Sequence, residues 1–162
     1  MRIANVEGRG SLVIDGRIVD VEQATAGEIS SDPMELVDLS NHPLLAQVQL
    51  NGEAREINES DLGPPVPRPG KIIAIAINYR SHAEEANKAI PTDPHVMVKF
   101  STCITGPQDD VFIHDLEMVD YEVELVLAIG RRGIRIPRAS AWDHIAGLTV
   151  GNDVSDRNEQ FR

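Results

Sequence analysis

Three carboxylates and one histidine–glutamate pair are the groups in this 162-residue chain whose types and spacing could do chemistry. In Val119-Asp120-Tyr121-Glu122-Val123-Glu124-Leu125-Val126-Leu127 the side chains of a strand alternate faces. Glu122 and Glu124 therefore emerge together, and Val123 and Leu125 are expected to face the core. Two like charges about 7 Å apart on a mostly apolar strand repel and are costly to bury. A divalent cation removes that cost; a strand face turned to water removes it equally. The run Leu148-Thr149-Val150-Gly151-Asn152 is apolar and ends in Asp153, which sets a third carboxylate at a strand terminus. Three oxygen ligands without cysteine or histidine beside them select a hard ion, magnesium, manganese or calcium, over zinc. Incomplete ligation by protein would leave positions for water and a chelating substrate.

Upstream, Asn78-Tyr79-Arg80-Ser81-His82-Ala83-Glu84-Glu85 places His82 and Glu85 three apart, neighbours on one helical face. A carboxylate so close can fix the imidazole tautomer and raise its basicity, which suits a histidine for deprotonating water. The same spacing on an exposed helix is also an ordinary surface pair.

The elements that must position these groups follow from the rest of the sequence. Leu12-Val13-Ile14 and Arg17-Ile18-Val19-Asp20-Val21 flank Asp15-Gly16, a hairpin signal. Asp32-Pro33 opens a helix with a capping aspartate and a first-turn proline, and His42-Pro43 interrupts it before Leu44, Leu45 and Val48 resume an apolar face. The segment Gly-Pro-Pro-Val-Pro-Arg-Pro-Gly, whose four prolines can neither continue a helix nor donate to a sheet, divides a small N-terminal domain, 1–62, from a second domain, 71–162, with 63–70 as linker. Beyond it the pattern predicts strands over 72–77, 96–100, 111–113, 121–129 and 147–153, and short helices over 80–89 and 137–145. The fold class expected is α+β, mainly β.

Composition narrows the function. Apolar residues at 41% and charged residues at 25% are ordinary for a globular chain, so disorder is excluded. A formal charge of −11 argues against nucleic acid or an anionic membrane as partner. Only Arg131-Arg132, with Arg135 and Arg138, is locally basic, and it reads as a solvated turn rather than a phosphate site. With Cys103 as the sole cysteine no intrachain disulfide can form, and Met1 to Gly10 has no basic head and apolar stretch, so a cytoplasmic location is expected. No apolar run reaches the ~20 residues that span a bilayer.

The run from Lys71 through Asn78-Tyr79-Arg80-Ser81-His82 to Glu85 resembles the start of the catalytic domain of the fumarylacetoacetate hydrolase family. Val98-Lys99-Phe100-Ser101-Thr102 is similar to its next strand, Asp120 to Leu125 with Ile129-Gly130-Arg131 to its most recognisable stretch, and Gly151 to Ser155 with Arg157 and Gln160 to the one after. The resemblance covers 71–162 and implies an incomplete mixed β-roll of that family's type. It implies Glu122, Glu124 and Asp153 as ligands of Mg2+ or Mn2+, with Ca2+ possible, and His82 with Glu85 as a water-activating dyad on a mobile lid helix. Lys99 would be a cation beside substrate, or a strand-end lysine reaching water; Tyr79 and Arg80 would meet substrate, with packing an equal reading for Tyr79. Asp156 and Asn158 depart from the family's alanine and aspartate. The implied reaction is metal-dependent hydrolysis of a carbon–carbon bond in an acylpyruvate-like 2,4-dioxo acid, with a 2-oxo acid as the small-molecule partner. Isomerisation or decarboxylation of a 2-hydroxy-diene-dioate on the same scaffold, and an inactive metal-binding fragment, are the alternatives. Family members continue past this aspartate through a glycine–lysine segment and a Thr-Gly-Thr-Pro turn, so the resemblance implies a truncated catalytic domain and, for the full-length parent, a homodimer.

Overall fold

The computed structural model describes residues 1–38, 42–50 and 53–160. The chain packs as two compact units, Met1–Pro67 with Gly106–Arg162, and Arg68–Thr105. The break at 67/68 falls inside the proline-rich 63–70 stretch, whereas 106–162 packs with the N-terminal residues, so packing units and sequence domains divide the chain differently.

The N-terminal part of the first unit is an antiparallel sheet of β1 (Arg2–Val6), β2 (Arg9–Ile14), β3 (Arg17–Asp20), β4 (Arg55–Glu56) and β5 (Leu62–Gly63), in the order β4-β3-β2-β1-β5. Ile14 pairs with Arg17 across Asp15-Gly16, whose φ values of 49° and 80° are the two left-handed residues that a tight hairpin turn needs. Glu7-Gly8, at 50° and 82°, joins β1 to β2 in the same way, a hairpin that the sequence reading passed over. Helices α1 (Val21–Ala24) and α2 (Pro33–Asp38) cover one face, so that Leu12, Val19, Val21, Ile29, Leu36 and Leu45 form the buried core. Asp32 caps α2 as its sequence suggests: its Oδ1 accepts the Met34 N–H at 2.9 Å. Leu45 enters the core from a 3-10 turn, Leu45–Gln47. The stretch just before His42, where the sequence places the helix interruption, lies outside the described residues.

The linker does not start as free chain. Gly63 pairs with Asn5, and Asn5 Nδ2 donates to the Pro64 carbonyl at 2.9 Å. A Cβ on Gly63 would sit 2.8 Å from that nitrogen, so only glycine lets β5 lie this close.

The second unit holds a two-stranded sheet of β6 (Ile72–Ala76) and β7 (His95–Lys99) and helix α3 (Arg80–Glu85). The helix stops four residues short of the expected 80–89. Asn87 takes the left-handed conformation, φ 51°, and the Asn87 and Lys88 N–H groups bond back to the Glu84 and Ala83 carbonyls, a Schellman stop.

The remainder of the first unit is built on β9 (Val123–Ile129) paired with β10 (Ile145–Asn152), flanked by β8 (Val119–Asp120) paired with β11 (Ser155–Asp156), then α4 (Arg157–Gln160). Expected strand 111–113 is absent: those residues follow the Gly106-Pro107 turn, where Asp109 Oδ2 accepts the Gly106 N–H at 2.6 Å, and no partner strand pairs with them. The 137–145 helix is a 3-10 turn, Arg138–His144. Mainly β with short helices is the class observed, no α-helix among the described residues exceeding six residues. None is long and apolar enough to cross a membrane.

One face of the β9–β10 pair departs from expectation. Val123 and Leu125 do not face the core; they are 70% and 54% exposed, and their same-face partner Val150 is 73% exposed. The pair has two strands and no layer over that side, so alternation turns its apolar residues to solvent and leaves Glu122 and Glu124 half-buried on the other. The half-buried face meets α2: a Cβ on Gly130 would lie 2.7 Å from the Val37 carbonyl oxygen.

Leu36 is fully buried in the only buried cluster described, and Leu36→Ala is expected to destabilise the N-terminal sheet by about 2–5 kcal/mol in urea denaturation. Arg9 bridges Asp20 at 2.7 Å and Glu22 at 2.9 Å. Burial pushes Asp20 up, but the bonds from Arg9 and the Gln23 N–H outweigh it and hold the carboxyl below its usual range; bonds from Ser31 and Arg9 lower Glu22. Depressed carboxylates stabilise at neutral pH and lose that contribution as pH falls through their folded values, below about 3.9 to 4.3. Acid titration of stability should therefore be shallower in Asp20→Asn than in the wild type below about pH 4.

Candidate functional site

Pairing of β9 with β10 decides where the carboxylates go. Glu124 stands opposite Gly151 and Val123 opposite Asn152. Past the ladder's end the Asp153 N–H donates to the Glu122 carbonyl at 2.8 Å, and Asn152 Oδ1 accepts the Glu122 N–H at 3.2 Å. Directly opposed residues of an antiparallel pair share a face, so Glu122, Glu124 and Asp153 occupy one face at one end of the hairpin, each half-buried. The strand itself begins at Val123, two residues later than expected, which leaves Glu122 in extended chain just before it. Gly151, opposite Glu124, fits under Val126, whose Cγ2 would stand 2.8 Å from an added Cβ.

Arg157 neutralises part of this charge. Its Nη2 pairs with Glu122 Oε1 and, at 2.8 Å, with Asp120 Oδ2, while its Nη1 reaches Gln160 Oε1 at 2.7 Å. The Arg157 backbone N–H is fixed on the Met118 carbonyl at 2.8 Å. The Glu122 and Asp120 bonds raise the guanidinium pKa, and Arg157 with the Tyr121 N–H lowers Asp120. Sequence reasoning included Arg157 in a matching stretch but gave it no role. The available signal was a cation four residues past Asp153, within reach of two acidic residues on the paired segment.

An all-oxygen donor set on one face fits a hard divalent cation in chemistry. Among the described residues, however, no group of three or more His, Cys, Asp or Glu side chains is gathered closely enough to hold an ion, and Glu122 engages Arg157 instead. The backbone thus collects the three positions without closing them around a point.

His82, Glu85, Lys99, Tyr79 and Arg80 belong to the other unit, Arg68–Thr105. Tyr79 stands at the N-cap position of α3 and its side chain makes no capping hydrogen bond, Arg80 opens the helix, and His82 and Glu85 are exposed on it. No hydrogen bond joins His82 to Glu85 among the described residues. Lys99 ends β7 half-buried, opposite Ile72. Ahead of them, Ile77 has φ 51°, a left-handed backbone that a β-branched residue adopts only under constraint and that sequence gave no sign of.

Residues 71–162 match the family described as fumarylacetoacetate (FAA) hydrolase C-terminal, and the chain belongs to that family. A Dictyostelium discoideum fumarylacetoacetate hydrolase domain-containing protein 2 homolog is 36% identical over 156 residues, 93% of this chain and 50% of that protein. Human mitochondrial oxaloacetate tautomerase is 41% identical over 99 residues, 60% of this chain and 32% of that protein. Maleylpyruvate hydrolase from Sphingobium sp. SYK-6, solved with manganese(II) and pyruvate, superposes with a TM-score of 0.76 at 26% identity, over 100% of this chain and 61% of that one. The chain spans about half or less of the length of these curated relatives.

Arg157→Ala leaves Asp120 and Glu122 facing each other without their cation. It is expected to lower the thermal midpoint by a few degrees, with part of the loss recovered at high salt, where repulsion is screened. Arg157→Lys, lacking the planar fork, should recover less than the wild-type value.

Proposed function

We propose that the chain is the part of a fumarylacetoacetate hydrolase family enzyme that carries the binding positions for a hard divalent cation, magnesium or manganese, and acts on a small 2-oxo acid by forming or quenching its enolate. The carrying observation is the backbone pairing that puts Glu122, Glu124 and Asp153 on one face at the end of β9–β10. A bound cation would be held by these three residues and would supply Lewis acidity toward the 2-oxo acid's oxygens. Arg157 anchors Glu122 by its ion pair and offsets the negative charge until then. Lys99 would offer a cation to a substrate carboxylate.

Keto–enol tautomerisation, in which a proton moves between C3 and the C2 oxygen, is the reaction that the named activity of the human relative supports. It needs one proton carrier and no attacking water. His82, exposed on α3, would be that carrier. Hydrolysis is the second reading, favoured by the maleylpyruvate hydrolase neighbour and its bound manganese and pyruvate. There His82 would take a proton from water as it adds to the distal carbonyl. The carbon–carbon bond then breaks with its electron pair left on the 2-oxo acid fragment, which gains a proton.

Calorimetry with Mn2+ should give binding to the wild-type chain and at least about tenfold weaker binding to Glu124→Ala, in keeping with loss of a charged oxygen ligand. Equal binding would remove the carboxylates from the proposal. In an active form of the enzyme, His82→Ala should cut acylpyruvate cleavage by roughly 10²- to 10⁴-fold, the usual contribution of a general base, if hydrolysis is the reaction. Oxaloacetate tautomerisation without cleavage in the wild type would select the first reading.

A further inference from the structure

The 130–144 loop joins β9 to β10 at the end of the hairpin remote from the three carboxylates, about 20 Å away for a seven-residue strand. It is not loose chain. The Gly130 and Arg131 N–H groups both donate to the His144 carbonyl, at 3.0 and 3.3 Å, and the His144 ring Nδ1 bonds the Arg131 carbonyl at 2.9 Å. Three bonds thus close its neck, and a carbonyl acceptor requires the proton on Nδ1. Gly133 fits against Ile136 and the His144 ring, where a Cβ would stand 2.8 Å from Cε1. Arg135 is held in the left-handed region at φ 52°, a conformation that a non-glycine residue keeps only when its surroundings fix it.

The closed loop forms a cleft of about 360 Å³ lined by Arg131, Arg135, Ser140, Asp143 and His144, with Ile134 and Ile136 among the apolar lining. Among the described residues neither Arg131 nor Arg135 has a side-chain hydrogen bond or ion pair. Arg9, Arg55 and Arg157 each pair with two carboxylates, and of the arginines that pair with none, Arg131 and Arg135 are the two that line the cleft. In a chain with 26 acidic and 15 basic side chains, two unpaired guanidiniums lining one preformed cleft are the groups expected to recruit an anion from solution. Asp143, in the same lining, opposes that charge.

We propose that this cleft is a second binding site, for a small oxyanion, carboxylate or phosphate, bound by Arg131 and Arg135 with the Ser140 hydroxyl as a further donor. The probes are inorganic phosphate and malonate, titrated into the full chain in metal-free buffer so that malonate cannot bind through a cation. Amide NMR shifts should move within 130–144 and stay fixed at 120–124 and 151–155. Shifts with phosphate alone, malonate alone or both assign the site to phosphate, carboxylate or oxyanions generally. The Arg131→Gln/Arg135→Gln pair should weaken binding by at least about tenfold with the remaining amide spectrum unchanged. Asp143→Asn keeps both arginines and should tighten binding several-fold, an effect that a purely structural loop would not give. Absence of binding by either anion, undiminished binding to the double variant, or unchanged binding to Asp143→Asn overturns the proposal.

Discussion

One short backbone hydrogen bond, from the Asp153 N–H to the Glu122 carbonyl, extends the β9–β10 ladder by one step beyond its last pair and sets the charge problem that the surrounding residues answer. Without that step Asp153 would be the first residue of a departing chain. With it, three half-buried carboxylates share one face, and like charges so placed repel. In the chain alone Arg157 meets part of that repulsion, held in place through its own N–H on Met118 and through the pairing of β8 with β11. The two flanking strands, of two residues each, therefore matter for electrostatics more than for burial.

The same alternation that gathers the carboxylates explains the exposed apolar face. Once Glu122 and Glu124 take the side toward α2, Val123, Leu125, Leu127 and Ile129 must take the other. Leu125 and Leu127 stand opposite Val150 and Leu148, so the two strands present one continuous apolar surface. A two-stranded ribbon is marginally stable by itself, and here its stability comes from the polar side, through Gly130 against Val37 and the packing of α2 on β10.

Much of this was legible in residue order. Asp15-Gly16 and Asp32-Pro33 carry their own stereochemistry, and the structure uses both as their sequences dictate. Period-two alternation located β9 and placed Glu122 and Glu124 together, because strand geometry is local. What alternation could not say is which face is covered, since that depends on what packs there; hence the reversed expectation for Val123 and Leu125. The overlong helix at 80–89 failed on one residue, Asn87, whose left-handed cap is a turn signal only once the neighbouring carbonyls are known. Arg157 carried only a weak signal as the partner of Glu122, because 35 residues separate them and the pairing of β9 with β10 and of β8 with β11 is what brings them together.

The most direct measurement is paramagnetic broadening of the amide spectrum by substoichiometric Mn2+. Amides of 120–124 and 151–155 should broaden first and together, the 130–144 loop should stay sharp, and excess Mg2+ should restore the lost signals. Broadening scattered over the many exposed acidic residues, or concentrated at the N-terminal Asp20–Glu22 cluster, would contradict a cation site at the end of β9–β10.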